Sequence, residues 1–480
     1  MLAIWSPLEI SIAIAIPAIQ LIGLYCAWRA LLYTRTAQGA TAWVVSLILQ
    51  PFIAVPMYAL FGRRKFVGYH QARRAGDGRL SGMAAELGKS LADWESGTQT
   101  ALPRLSTLEH LVKLNFTHKN RLDLLVDGRA TFDSIFAGIR AAREYVLVQF
   151  FIVRDDIIGC ALADLLKERA RAGIRVIFLF DEIGSYSLPS EYINDLRANG
   201  VDMRSFHTTR GRKNRFQVNF RNHRKVVITD GEVAWVGGHN VGDEYLGRDE
   251  HIGPWRDTHV RVDGPAVLGI QLGFLEDWHW ATKKIPRLNW KPYAADTGTA
   301  HALAIPSGPA DLQETAELFF LHLINCANKR VWITSPYFVP DRTVVQALKL
   351  AALRGVDVRI LLPSKPDHLL VYLSSFSYLE ELCSTGVRVF RYTPGFLHQK
   401  VILVDDDIAG VGTANLDNRS FRLNFELTLV ASDVSFNRVT SDMLSSDFER
   451  SVEINLSSIA ERSLFFRSIV KLARLTAPIQ

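Results

Sequence analysis

One pattern occurs twice in this chain. His223-Arg224-Lys225 is followed, after four intervening residues, by Asp230, and His398-Gln399-Lys400 is followed at the same distance by Asp405. Each copy then runs six residues into a small-residue turn that ends in asparagine, Gly237-Gly238-His239-Asn240 and Gly412-Thr413-Ala414-Asn415. A lone His-x-Lys is close to chance. Two copies that share the offsets of His, Lys, Asp, Gly and Asn mark a duplicated unit, and whatever one copy folds into, the other must fold into as well.

The residues between the fixed positions give the local structure. Val226-Val227-Ile228 and Val401-Ile402-Leu403 are apolar, largely β-branched runs and read as buried strands. Alternate strand residues share a face, so His223 and Lys225 point one way together, as do His398 and Lys400. Asp230 and Asp405 lie an odd number of residues from both partners, which gives them a structural role within the motif. The glycine turns admit close approach of backbone to a ligand, with Asn240 and Asn415 as phosphate-binding donors. Two imidazoles, two ammonium groups and two amides converging on one point suit a phosphodiester. The lysines supply charge to the phosphoryl oxygens, one histidine attacks, and the other protonates the leaving alcohol.

The duplication extends beyond the motif. The 145–151 and 330–334 runs read as strands, and helical patterns follow each at 161–172 and 343–354. Strands at 173–179 and 355–361, and again at 200–204 and 386–390, precede the motif strand. Strands alternating with helices predict an α/β lobe, and two such lobes predict pseudo-twofold packing with the motifs at their interface.

The paired motif resembles the phospholipase D superfamily, whose members carry two HKD motifs. Within it, Asn222-His223-Arg224-Lys225, Ser335-Pro336-Tyr337-Phe338-Val339-Pro340-Asp341, Pro394-Gly395-Phe396-Leu397-His398-Gln399-Lys400 and two apolar N-terminal segments resemble the bacterial cardiolipin synthases. The first motif departs from the superfamily in carrying Gly238 where serine is usual, and the second carries Thr413 there. The resemblance implies an α/β fold, with two N-terminal transmembrane helices followed by two pseudo-twofold-related lobes. It also implies a membrane phosphatidyltransferase that joins two phosphatidylglycerol molecules, releases glycerol and passes through a phosphatidyl-histidine. The two motifs are nearly symmetric and the sequence does not decide between the histidines, with His223 taken as the nucleophile. A phospholipase D-type hydrolase using water, or another phosphatidyltransferase with a different donor or acceptor, is the alternative. Superfamily members place a histidine-orienting acid about thirty residues after the motif histidine. Asp257 is the candidate for the first lobe and Glu426 for the second, each expected to hold the imidazole of its own lobe.

Bulk properties agree with an anionic partner. The chain of 480 residues is 48% hydrophobic and carries a formal charge of +6, which suits nucleic acid or an acidic membrane. Residues 8–28 and 40–61 are each about the length of a membrane span, the second interrupted by Pro51 and Pro56. Spans of this kind argue against a nuclease, so phosphatidylglycerol rather than nucleic acid is the expected partner. The basic cluster Arg63, Arg64, Lys65, Arg73 and Arg74 outweighs Arg29 and Arg35 of the short connection. That bias puts both termini and the catalytic lobes on the cytoplasmic side of the inner membrane. The expected division is a hairpin at 1–62, a connector at 63–115, and lobes at 116–295 and 296–480. Four scattered cysteines and histidines such as His239, His251, His259 and His279 form no ligand spacing, so neither a metal nor another cofactor is called for. The basic stretch from Arg204 to Arg224 reads equally as a membrane-facing lip or a solvated loop. Phe216, Phe220 and residues 395–397 read as core before membrane contact, and residues 465–475 as a helix packed on the second lobe.

Overall fold

The computed structural model describes residues 7–34, 36–62, 77–97, 103–206, 219–455, 462–477 and 480, in two compact units. Arg210, Arg212, Lys213, Arg215 and Phe216 of the basic stretch lie outside the described residues, as does the 63–74 cluster.

The smaller unit holds three apolar helices, Pro7–Tyr33, Ala37–Leu49 and Pro51–Phe61. Ala13–Tyr33 is long and apolar enough to cross a membrane. The 40–61 segment is not one continuous helix. Proline has no N–H and disfavours helical backbone in the residue before it, so Gln50 leaves the helix (φ −134°, ψ 57°) and Pro51 starts a new one. The helices meet through small residues. Ala27, Ala30, Leu47, Ala54 and Tyr58 form the buried cluster, and a Cβ on Gly23 would lie 2.6 Å from the Leu47 carbonyl oxygen. Leu21, Tyr25, Leu49 and Ile53 face outward and are exposed. Three of the five buried residues are alanine, whereas the outward residues are large and apolar, a distribution that suits a hydrocarbon surround.

The larger unit is built on one sheet. Its first-half strands are β1 (Thr117–Val126), β2 (Tyr145–Phe150), β3 (Arg175–Asp181), β4 (Asp202–Phe206), β5 (Arg221–Asn222), β6 (Val226–Thr229), β7 (Val233–Gly237), β8 (Trp255–Arg256) and β9 (Thr258–Asp263). Those of the second half are β10 (Ala300–Ser307), β11 (Arg330–Thr334), β12 (Phe338–Val339), β13 (Asp357–Pro363), β14 (Arg388–Tyr392), β15 (Phe396–Leu397), β16 (Val401–Val404), β17 (Ile408–Gly412), β18 (Leu416–Asp417), β19 (Asn424–Ser432) and β20 (Ser451–Glu453). The sheet runs β20-β14-β13-β11-β16-β17-β19-β10-β1-β9-β7-β6-β2-β3-β4. Leaving β20 aside, the order outward from the central antiparallel pair β1–β10 matches strand for strand on the two sides. Within each half three strands pair in parallel, and the motif strand joins them antiparallel as one arm of a hairpin.

Apolar burial follows the same division. One cluster centres on Val146, Val148, Phe178, Leu162 and Leu166, the other on Val331, Ile333, Leu348, Ile360 and Leu379. The described part of the connector, residues 77–97 and 103–115, belongs to this body. Leu87 and Leu91 of the helix Asp77–Leu91 pack on Leu268 and Leu272, and Leu105 and Leu108 enter the second cluster. Phe220, Phe396 and Leu397 are also buried, in keeping with a core reading. The C-terminal helix Leu464–Arg474 packs on the helix Leu369–Cys383 by one face, with Phe466 and Phe376 edge to face at 5.4 Å, while its other face is exposed.

Candidate active site

The two hairpins bring both motifs to the seam between the halves of the sheet. Asp230 and Asp405 occupy the hairpin turns with positive φ (56° and 52°), a conformation that aspartate tolerates better than most residues. Their carboxylates serve backbone. Asp230 accepts N–H bonds from Arg143, Glu144 and Tyr145 at 2.8–2.9 Å, at the entry to β2. Asp405 does the same for Asn328, Lys329 and Arg330 at the entry to β11, and adds the Arg104 guanidinium at 2.6 Å. Each motif aspartate thus fixes the parallel strand beside the motif strand and takes no position near a reacting atom.

The histidines are oriented across the halves. β5 pairs in parallel with the start of β19, and the His223 amide donates to the Phe425 carbonyl at 2.9 Å. Reciprocally, β15 pairs in parallel with β8, and the His398 amide donates to the Arg256 carbonyl at 2.8 Å. Each motif is thereby laid against the acid-bearing strand of the opposite half. His223 Nδ1 is 2.9 Å from Glu426 Oε2, and His398 Nδ1 is 2.7 Å from Asp257 Oδ2. The own-lobe pairing expected from sequence is therefore corrected: Asp257 holds the second histidine and Glu426 the first.

Protonation follows from these contacts. A carboxylate facing Nδ1 requires the proton there, which leaves the Nε2 lone pair free. Burial lowers the His223 pKa to about 4, with Glu426 partly offsetting that loss. Burial, Lys400 and Lys225 drive His398 well below its usual 6.5. Burial works against the Glu426 charge, but His223, Lys225 and Thr413 outweigh it and hold the carboxyl below its ordinary range. Both lysines are buried. Lys225 Nζ donates to the His223 carbonyl at 2.6 Å and Lys400 Nζ to the His398 carbonyl at 2.5 Å. Burial pulls the Lys400 pKa down to about 8 and takes Lys225 well below its ordinary value. A phosphodiester placed between them adds negative charge and raises the proton affinity of every one of these bases.

The turns differ from one another. Thr413 Oγ1 donates to Glu426 Oε2 at 2.6 Å, and Ser420 and Asn424 fill Glu426 Oε1. In the first turn, a Cβ on Gly238 would lie 1.9 Å from Asp257 Oδ1, so the shorter acid occupies the space where the superfamily carries a serine. The Asn240 amide is partly committed to the fold. Its Oδ1 accepts from the Ile152 amide and its Nδ2 donates to Tyr245 Oη, both at 3.1 Å. Asn415 Oδ1 is buried without a hydrogen-bond partner, so that amide is not committed in the same way.

Several supporting residues were not singled out from sequence. Arg224, read from sequence as part of either a membrane-facing lip or a solvated loop, is buried and donates to Asp277 at 2.9 Å, and Gln149 and Asn222 donate to the same carboxylate. In the other half Gln399 and Arg256 converge on Asp447. The middle residue of each His-x-Lys is therefore anchored to a helix aspartate, on Val267–Thr282 and Val434–Glu449 respectively. The available signal was that each aspartate follows its half's acid by about twenty residues. Among the described residues, no three histidine, cysteine or acidic side chains are grouped to hold a metal ion.

Known proteins share this arrangement to different degrees. A family model described as "Cardiolipin synthase, PLD-like domain" matches residues 320–450. Cardiolipin synthase A of Pseudomonas putida (strain GB-1) is 48% identical, over 96% of this chain and 97% of its own length. Cardiolipin synthase A of Pseudomonas aeruginosa (strain LESB58) is 50% identical, over 96% and 94%. The chain belongs to the bacterial cardiolipin synthase family. In fold it resembles the crystal structure of phosphatidylserine synthase from Haemophilus influenzae (TM-score 0.60, 16% identity), which covers 78% of this chain and 100% of that one. The sheet that carries the cardiolipin synthase motifs thus also occurs in a protein of quite different sequence.

Proposed function

We propose that this enzyme transfers a phosphatidyl group from one phosphatidylglycerol to another, forming cardiolipin and glycerol. The observation that carries the mechanism is the pair of crossed imidazole–carboxylate contacts, which gives the site two equivalent bases from two halves of the chain. In the first step His398 carries a second proton on Nε2, taken up as the phosphodiester binds; His223 Nε2 attacks phosphorus, the phosphorus–oxygen bond to glycerol breaks, and the departing oxygen takes that Nε2 proton. In the second, His398 removes the proton from a hydroxyl of the second phosphatidylglycerol, that oxygen attacks phosphorus, and the phosphorus–nitrogen bond breaks. Attack is assigned to His223 as in the reading from sequence; each imidazole is held by a carboxylate, Glu426 at 2.9 Å and Asp257 at 2.7 Å, and the adduct experiment below tells the two roles apart. Lys225 and Lys400 balance the charge on the phosphoryl oxygens.

The reading divides the larger body into lobes at 116–295 and 296–480. It places 8–28 and 40–61 in the inner membrane as a hairpin, with the lobes on the cytoplasmic side. Interrupted helices at Gln50 are compatible with a bent second span.

The experiment is turnover of phosphatidylglycerol labelled in its terminal glycerol, with lipid products resolved. Labelled glycerol and cardiolipin are expected, whereas phosphatidic acid as the main product would favour the hydrolase. His223→Ala and His398→Ala should each abolish transfer. On His398→Ala, a slow acid-labile phosphatidyl adduct should accumulate and be absent from His223→Ala. The reverse pattern would exchange the two roles. A cysteine introduced beside Arg73 should resist a membrane-impermeant thiol reagent in intact cells.

A further inference from the structure

The helix Leu464–Arg474 is expected from sequence to pack on the second lobe, and only half of its surface does so. Phe466, Val470 and Ala473 turn inward, the latter two buried. Outward, spacing of three and four residues sorts the side chains into two stripes. Leu464, Leu472 and Leu475 share one stripe, with Phe465 beside it, and they are 64–79% exposed. Arg467 and Lys471 share the other, and Arg474 lies at its inner edge with its guanidinium 4.9 Å from the Tyr378 ring; all three are exposed. The helix contains no acidic residue. The neighbouring helix Leu369–Cys383 opens with two more exposed leucines, Leu369 and Leu370.

Scattered exposed leucines are ordinary, but four large apolar side chains within twelve residues of one surface helix are not. Apolar and cationic stripes side by side match the boundary between acyl chains and anionic headgroups, where the apolar stripe sinks and the basic one meets phosphate. A protein partner would have to offer an apolar groove with an acidic rim, whereas a bilayer containing phosphatidylglycerol offers both properties everywhere on its surface.

We propose that the outward face of Leu464–Arg474 is a membrane-docking surface that seats the second half of the catalytic body on anionic lipid. This contact belongs to the catalytic body itself and is additional to any spanning segment. The choice of partner rests on the lipid-substrate reading above, but the test does not depend on turnover, so the two can fail separately.

The test uses full-length protein in phosphatidylcholine vesicles with and without phosphatidylglycerol. Phe465→Cys and Leu472→Cys, each combined with Cys160→Ser, carry an environment-sensitive fluorophore. Tyr186→Cys, at a residue 81% exposed in the first half, is the reference site, and the Cys160→Ser protein gives the labelling background. The substituted side chains point outward, so folding should survive, and a circular dichroism melt checks that it does. In vesicles containing phosphatidylglycerol, emission at 465 and 472 should shift to the blue. Quenching there by brominated acyl chains should exceed that at 186 several-fold, and Lys471→Glu should reduce it. Water-like emission at 465 and 472, with iodide quenching equal to that at 186, overturns the proposal. Shielding that ignores lipid composition and rises with protein density also overturns it, assigning the face to a second copy of the chain.

Discussion

At the scale of the residue, the two halves of the site are unequal in a way that can be tested. Gly238→Ser introduces the side chain usual in the superfamily, yet its Cβ would lie 1.9 Å from Asp257 Oδ1. The carboxylate must then swing away from His398, which loses its Nδ1 partner. Turnover should fall on the order of 10²-fold, the usual range for a misplaced acid–base group, and Asp257→Asn should reproduce the loss. Unchanged turnover in Gly238→Ser would mean that Asp257 is not needed where it stands. A second residue-scale expectation concerns acid. His239 and His259 are buried with their Nδ1 atoms 3.1 Å apart, and burial lowers His239 to about 4 and His259 well below 6.5. The unfolded chain takes up protons near pH 6.5, before the native state does, so stability should fall as pH drops from about 6.5 to about 4. Melting in detergent should follow that slope, and His239→Gln should flatten it.

At the scale of the element, the connector and the shortest strands matter more than their length suggests. Arg104 reaches Asp405 and Asp407 at 2.6 and 2.7 Å from the turn that precedes the helix Ser106–Val112. Arg104→Ala leaves Asp405 largely buried with one partner fewer and should lower stability by about 1–3 kcal/mol. Denaturation with and without the substitution measures this, and activity per folded molecule should be retained. Here the limits of the sequence are physical. The motif strands, the alternating elements and the structural role of Asp230 and Asp405 follow from period and offset, which are local. The crossing of Asp257 and Glu426 does not, because it depends on two-residue strands, β5 and β15, whose partners lie in the opposite half. Arg104 is separated from Asp405 by 301 residues, and nothing in its neighbourhood announces the pair. A turn amide such as Asn240 can serve a ligand, the surrounding fold or both, and residue type alone does not decide which.

At the scale of the whole molecule, phosphohistidine chemistry does not itself distinguish a lipid hydroxyl from water. Removing residues 1–62 should therefore lower the ratio of cardiolipin to phosphatidic acid on mixed micelles, since anchoring raises the effective concentration of lipid-borne acceptors. An unchanged ratio at a lower rate would place acceptor choice within the catalytic body. The crossed contacts have a further meaning for ancestry. A single half, folded alone, holds a histidine without its acid and an acid without its histidine. Such a unit becomes complete only by pairing with a copy of itself about a twofold axis, and identical copies then impose identical histidines. Joining the copies in one chain lifts that constraint, so each position can drift from its counterpart. The present molecule records such drift: aspartate beside glycine in one half and glutamate beside threonine in the other, with both imidazoles still held by a carboxylate.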